Sequence, residues 1–78
     1  MIKELSNKII YDDFTNKMLL TDDENNVLRM LILKYSIVKI SQEINMSDRN
    51  VSRIIKNIKE KYDMYKKMEM AKLELFKA

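Results

Sequence analysis

The sequence predicts an all-α protein: a compact helical bundle containing a helix-turn-helix, plus an extra N-terminal helix. Three observations carry this. The 78 residues include neither Gly nor Pro, so the tight φ > 0 turns of sandwiches, barrels and doubly wound sheets have no residue suited to them. Apolar residues recur at spacings of three and four, the period of one helix face. Lys, Glu, Leu, Ile and Met are abundant, a helix-compatible composition.

Each element follows from local chemistry. Residues 3–17 form a first helical segment with a loose apolar stripe of Ile2, Leu5, Ile9 and Phe14; Asp12 and Asp13 are where it is expected to bend or end. A second helix starts at Thr21-Asp22-Asp23-Glu24, which has the capping-box form, with its acidic residues where the helix dipole favours negative charge. Val27, Leu28, Leu31 and Tyr35 mark its buried face. The carboxylate groups at Asp12/Asp13 and Asp22/Asp23/Glu24 read as capping and solvation rather than acid–base or Mg²⁺ chemistry. A third helix, residues 37–44, begins after Ser36 as N-cap and keeps Ile37, Ile40 and Ile44 at helical spacing. Asn45 then takes the φ > 0 position of a sharp turn, Met46 tucks back into the core, and Ser47 caps a fourth helix over residues 48–61. Val51, Ile55, Ile58 and Tyr62 are its inner stripe. Asp63 is expected to break the chain before a fifth helix, residues 64–76.

Size and composition bound the function. One small domain of this length is expected to have a stability of roughly 5 kcal/mol, and dimerisation would add burial. The chain has no Cys and no His, which removes disulfides, thiolate metal sites, the usual general base and the commonest metal ligand. There is no Gly-rich phosphate loop. The expectation is a protein that is not an enzyme and uses no cofactor and no metal. The apolar runs are too short to span a bilayer and the start lacks a signal-peptide pattern, so no membrane partner and a cytoplasmic, nucleoid-associated location are expected. The net charge of +3 is unevenly spread: residues 1–26 carry −3, residues 27–45 +2, residues 46–62 +3 and residues 63–78 +1. A positive field concentrated on one unit is what a polyanion binder needs.

The stretch IVKISQEINMSDRNVSRIIKNIKEKY, residues 37–62, therefore has the form of a helix-turn-helix, a device that puts its second helix into the major groove of DNA. From Leu20 onward, LTDDENNVLRMLILKYSIVKISQEINMSDRNVSRIIKNIKEKYDM resembles the LuxR-type (GerE-like) helix-turn-helix family, aligning without a gap. The agreements are Leu20, Thr21, Glu24, Val27, Leu28, Leu31, Ser36, Ile40, Ser47, Val51, Asn57, Ile58 and Lys61. The chain departs from the family at Lys34, Asn45 and Asp63, where the family has Gly, and at Ser41, Ile54 and Asn50, where it has Ala, His and Thr. Sigma-factor region 4 shares the general pattern and ranks second. The resemblance is to short, stand-alone members. It implies a DNA-binding domain over residues 19–78 that dimerises through its last helix, with residues 1–18 as an N-terminal helical extension. No receiver or ligand-sensing domain fits upstream, so regulation is expected from abundance or another protein.

Site residues follow from helix position. Arg53 and Lys56 are placed for base edges, since Arg forks onto guanine. Ser47, Arg49, Asn50 and Ser52 lie near the helix start, where phosphates or flanking bases are met. Lys39 and Lys59 are phosphate anchors. Met64, Tyr65, Met68, Ala71, Leu75 and Phe76 make an apolar face wide enough for self-association. The expected partners are double-stranded DNA and a second copy of the chain, with RNA polymerase or a regulatory protein meeting residues 1–18. The alternative is an interaction module, such as an antagonist or a polymerase partner, that keeps the fold without binding DNA on its own.

Overall fold

A computed structural model of the chain describes the backbone of residues 3–77 and the side chains of residues 4–69. A 3₁₀ turn, Lys3–Ser6, leads into α1 (Lys8–Met18), α2 (Asp22–Ile32), α3 (Ile37–Ile44) and α4 (Asp48–Lys77), with no strand among the described residues. The all-helical class is as the composition predicts.

The predicted caps are present as hydrogen bonds. At Thr21 both halves of the capping box form: the Glu24 N–H donates to Thr21 Oγ1 at 3.2 Å, and the Thr21 N–H donates to Glu24 Oε1 at 2.9 Å. Ser36 Oγ accepts from the Lys39 N–H, and Ser47 Oγ from the Asn50 N–H, each at 3.2 Å. A further cap, Asn7 accepting from the Ile9 N–H, starts α1. Three connections pass through the left-handed region with no glycine: Leu19 at φ 49°, Lys34 at φ 66° and Asn45 at φ 56°. Lys34 thus adopts the conformation for which the LuxR-type pattern uses Gly. Around it the Tyr35 N–H bonds Met30 O and the Lys34 N–H bonds Leu31 O, the paired bonds of a Schellman C-cap.

α4 is the axis of the fold and packs against α1, α2 and α3. It runs unbroken for 30 residues, about 45 Å at 1.5 Å per residue, in a molecule whose longest extent is 49 Å. This corrects the expected break at Asp63. Asp costs a helix interior only a few tenths of a kcal/mol, and its neighbours Tyr62 and Tyr65 are both buried in the core.

The core joins Leu5, Phe14, Val27, Leu28, Ile40, Val51, Ile58, Tyr62 and Tyr65. The N-terminal segment is therefore part of it rather than an appendage. α1 continues through Asp12 and Asp13, and Phe14, 0% exposed, sets its ring edge-on to Tyr62 and Tyr65 at centroid distances of 5.3 and 5.4 Å. The Tyr62 hydroxyl donates to Glu4 Oε2, and the Tyr65 hydroxyl to Asp13 Oδ2 at 2.5 Å. Lys17 pairs with Asp13 at 3.2 Å and Glu69 at 2.9 Å. Ile9, expected on the inner stripe, is 79% exposed instead, because α1 turns Phe14 and not Ile9 toward α4. The Tyr65 bond to Asp13 holds its phenol up at about 12. Burial, then the bond to Glu4, raises Tyr62, while that same bond is the main reason Glu4 is lowered.

Phe14→Ala should therefore cost about 3–5 kcal/mol, the usual range for a buried aromatic, and remove most of the roughly 5 kcal/mol of stability expected for a domain of this size. Ile9→Ala should stay within about 0.5 kcal/mol. Thermal or urea unfolding followed by circular dichroism distinguishes the two. Equal losses would contradict the placement of α1.

Candidate nucleic-acid interface

α3 and α4 are joined by a three-residue turn, Asn45–Ser47. The Met46 N–H bonds Ser41 O at 3.0 Å, and the Met46 side chain is half-buried against the core. Ser41 is buried where the helices approach, its hydroxyl donating to Val38 O at 2.7 Å. Val51 and Ile58 face inward and are fully buried. At 100° per residue, Arg49, Arg53 and Lys56 lie within about 60° of one another on the far side of the helix.

Ser47, Arg49, Asn50, Ser52, Arg53, Lys56 and Lys59 are all exposed. Among the described residues, Arg49, Arg53, Lys56 and Lys59 make no ion pair or side-chain hydrogen bond, whereas Lys17, Lys61 and Lys66 are each paired with a carboxylate. Ser47 and Ser52 differ in role: Ser47 is engaged as the cap, while Ser52 lies free on the flank that also carries Lys59. Asn50 lies on the other flank. Lys39, on α3, is exposed but sits 4.7 Å from the Tyr35 ring centroid, a cation–π contact that positions it. The basic row ends where Glu60 and Asp63 follow on the outer surface, so it occupies about three turns.

The ion pair that fixes this half of α4 is not visible as a site in the sequence. Glu24 is only 5% exposed and accepts from Lys61 Nζ at 2.6 Å while closing its own cap. Burial pushes its carboxyl up, but the bonds from Lys61 and Thr21 outweigh that and hold it below the ordinary value. In the sequence Glu24 is marked only as half of a capping box; its contact with Lys61 spans 37 positions and leaves no periodicity.

Along α4 beyond this anchor, Met64 and Met68 are 58% and 45% exposed. Tyr65 is a correction: it is buried against Phe14 and bonded to Asp13, so it belongs to the core and not to a face toward a second copy. The side chains of Ala71, Leu75 and Phe76 lie outside the described residues. Glu4 and Asp13, within the segment 1–18 expected to meet RNA polymerase or a regulatory protein, are engaged by Tyr62, Tyr65, Lys66 and Lys17 within the chain.

No described helix is long and apolar enough to cross a membrane, and no described group of three or more acidic side chains is arranged to hold a metal. Comparison with protein-family models, with characterised proteins and with solved structures returns no match. What the fold defines is a small all-helical protein that displays an unneutralised cationic helix face.

Glu24→Gln should cost about 1–2 kcal/mol at pH 7 through the cap and the ion pair. A carboxyl lowered by folding stabilises the protein above its unfolded value and loses that contribution as pH falls through the folded one. The gap between wild type and E24Q should therefore close progressively below about pH 4.5. Urea midpoints measured at pH 3, 5 and 7 check it; a gap independent of pH would deny the ion pair its role.

Proposed function

We propose that the chain is a sequence-specific DNA-binding transcription regulator, with a LuxR-type helix-turn-helix, that lays the first three turns of α4 in the major groove. The observation that carries this reading is the set of four exposed cations, Arg49, Arg53, Lys56 and Lys59, without intramolecular partners among the described residues, on the outer side of a helix whose inner side is anchored. An α-helix of about 10–12 Å diameter matches a groove about 12 Å wide. Arg53 and Lys56 then reach base edges, Arg53 by its bidentate fork. Arg49, Asn50, Ser52 and Lys59 flank them toward the sugar–phosphate rails, and Lys39 on α3 adds a phosphate contact.

The protein acts as a homodimer in this reading. Met64 and Met68 offer an apolar patch to the same patch of a second copy, an isologous contact that favours two-fold half-sites about one helical turn apart. The alternative is an interaction module with no DNA affinity of its own; against it, Glu4 and Asp13 of the acidic first segment are already engaged within the chain.

Affinity for a duplex selected from a random pool should fall steeply with added salt, as several phosphate contacts require. Arg53→Ala should cost about 1–3 kcal/mol on that duplex and less on random sequence. Equal loss on both would make Arg53 a backbone contact, and no duplex binding at low salt would sink the proposal. Separately, the double variant Met64→Glu/Met68→Glu should shift a concentration-dependent dimer toward monomer in sedimentation equilibrium while keeping its helical content. An unchanged dimer would place the contact elsewhere.

A further inference from the structure

A cavity of about 320 Å³ opens where the 3₁₀ turn, α1 and α2 meet. No described residue of α3 or α4 lines it, so it is separate from the face assigned to DNA. Leu5, buried, and Tyr11 and Ile32, half-buried, form its floor; Leu33, 64% exposed, continues the apolar surface outward. Lys8 and Arg29 stand exposed at the edge, and no carboxylate among the described residues lines the cavity. Among the described residues Lys8 has no ion-pair partner, and Arg29 reaches only the Asn26 side chain, at 3.5 Å. The pairing of an apolar floor with a wholly cationic rim selects the occupant's chemistry. A phosphate backbone would use the cations but waste the floor. A small amphiphile would fill the floor but leave the exposed Leu33 in water. A segment of polypeptide covers both.

We propose that this cavity docks a short segment of a partner protein in which bulky apolar side chains are flanked by Asp or Glu. The apolar groups enter over Leu5, Tyr11 and Ile32, and the carboxylates meet Lys8 and the Arg29 fork. The inference does not rest on the DNA reading, since the two surfaces share no residue.

The test uses the isotope-labelled full chain and a synthetic helix-forming peptide with two leucines one turn apart, flanked by glutamates. A twin peptide carries lysine for each glutamate. Amide shifts should concentrate at Tyr11, Ile32 and Leu33, and the lysine twin should bind roughly tenfold more weakly, as opposed charges at a rim require. The double variant K8E/R29E should reverse that preference. Leu33→Ser, at an exposed position that does not endanger folding, should weaken both peptides. Absence of shifts, shifts spread over α4, or equal binding of the twins would overturn the proposal. Decanoate moving the same amides when the peptide does not would also overturn it, reassigning the cavity to a small molecule. So would a loss of duplex affinity in Arg29→Ala as large as in Arg53→Ala, which would make the rim a DNA contact.

Discussion

The structure depends on the lodging of Phe14 between Tyr62 and Tyr65. A chain of this size buries too little surface to waste any, and this aromatic cluster is where the N-terminal segment and the long helix become one body. Its polar ends are satisfied as well as its rings: each tyrosine hydroxyl finds a carboxylate from the segment that carries Phe14. Those bonds keep both phenols neutral, so their contribution to stability is present below the ordinary tyrosine value of about 10 and is lost as pH rises through the higher folded values. The same contacts explain why α4 passes Asp63 without a break.

A second fixing point, the Glu24–Lys61 pair, lies on another side of α4. Between them, the aromatic cluster and the ion pair secure the helix against α1 and α2, while α3 and its turn present the first three turns outward. Among the described residues every buried side-chain nitrogen and oxygen has a hydrogen-bond partner. That contrast frames the outer cations of α4: polar groups are matched throughout the described interior, while Arg49, Arg53, Lys56 and Lys59 stand together without an ion pair among the described residues.

Much of this was legible in the sequence because it is local. Thr21, Ser36 and Ser47 cap their helices by bonds that span three residues, and Asn45 takes its left-handed turn because of its own side chain. The α3–α4 unit and the exposure of Arg53 and Lys56 follow from such signals. What was not legible depends on distant partners. Tyr65 has the spacing of an outward apolar stripe, and only the arrival of Phe14 and Asp13, more than fifty positions away, turns it into core. Asp63 resembles a stop signal until its two aromatic neighbours are seen to be pinned. Ile9 and Phe14 look interchangeable on a loose stripe, and the orientation of α1 alone separates them.

The unbroken α4 has a mechanical consequence. Under the proposed function, the end that reads the groove and the end that meets a second subunit belong to one shaft with no hinge between them. Inserting a single residue between Lys59 and Met64 would twist one end against the other by about 100°. A dimer built this way measures the distance and phase between its two half-sites as a rigid caliper does, and it has little freedom to accept a site of any other gauge.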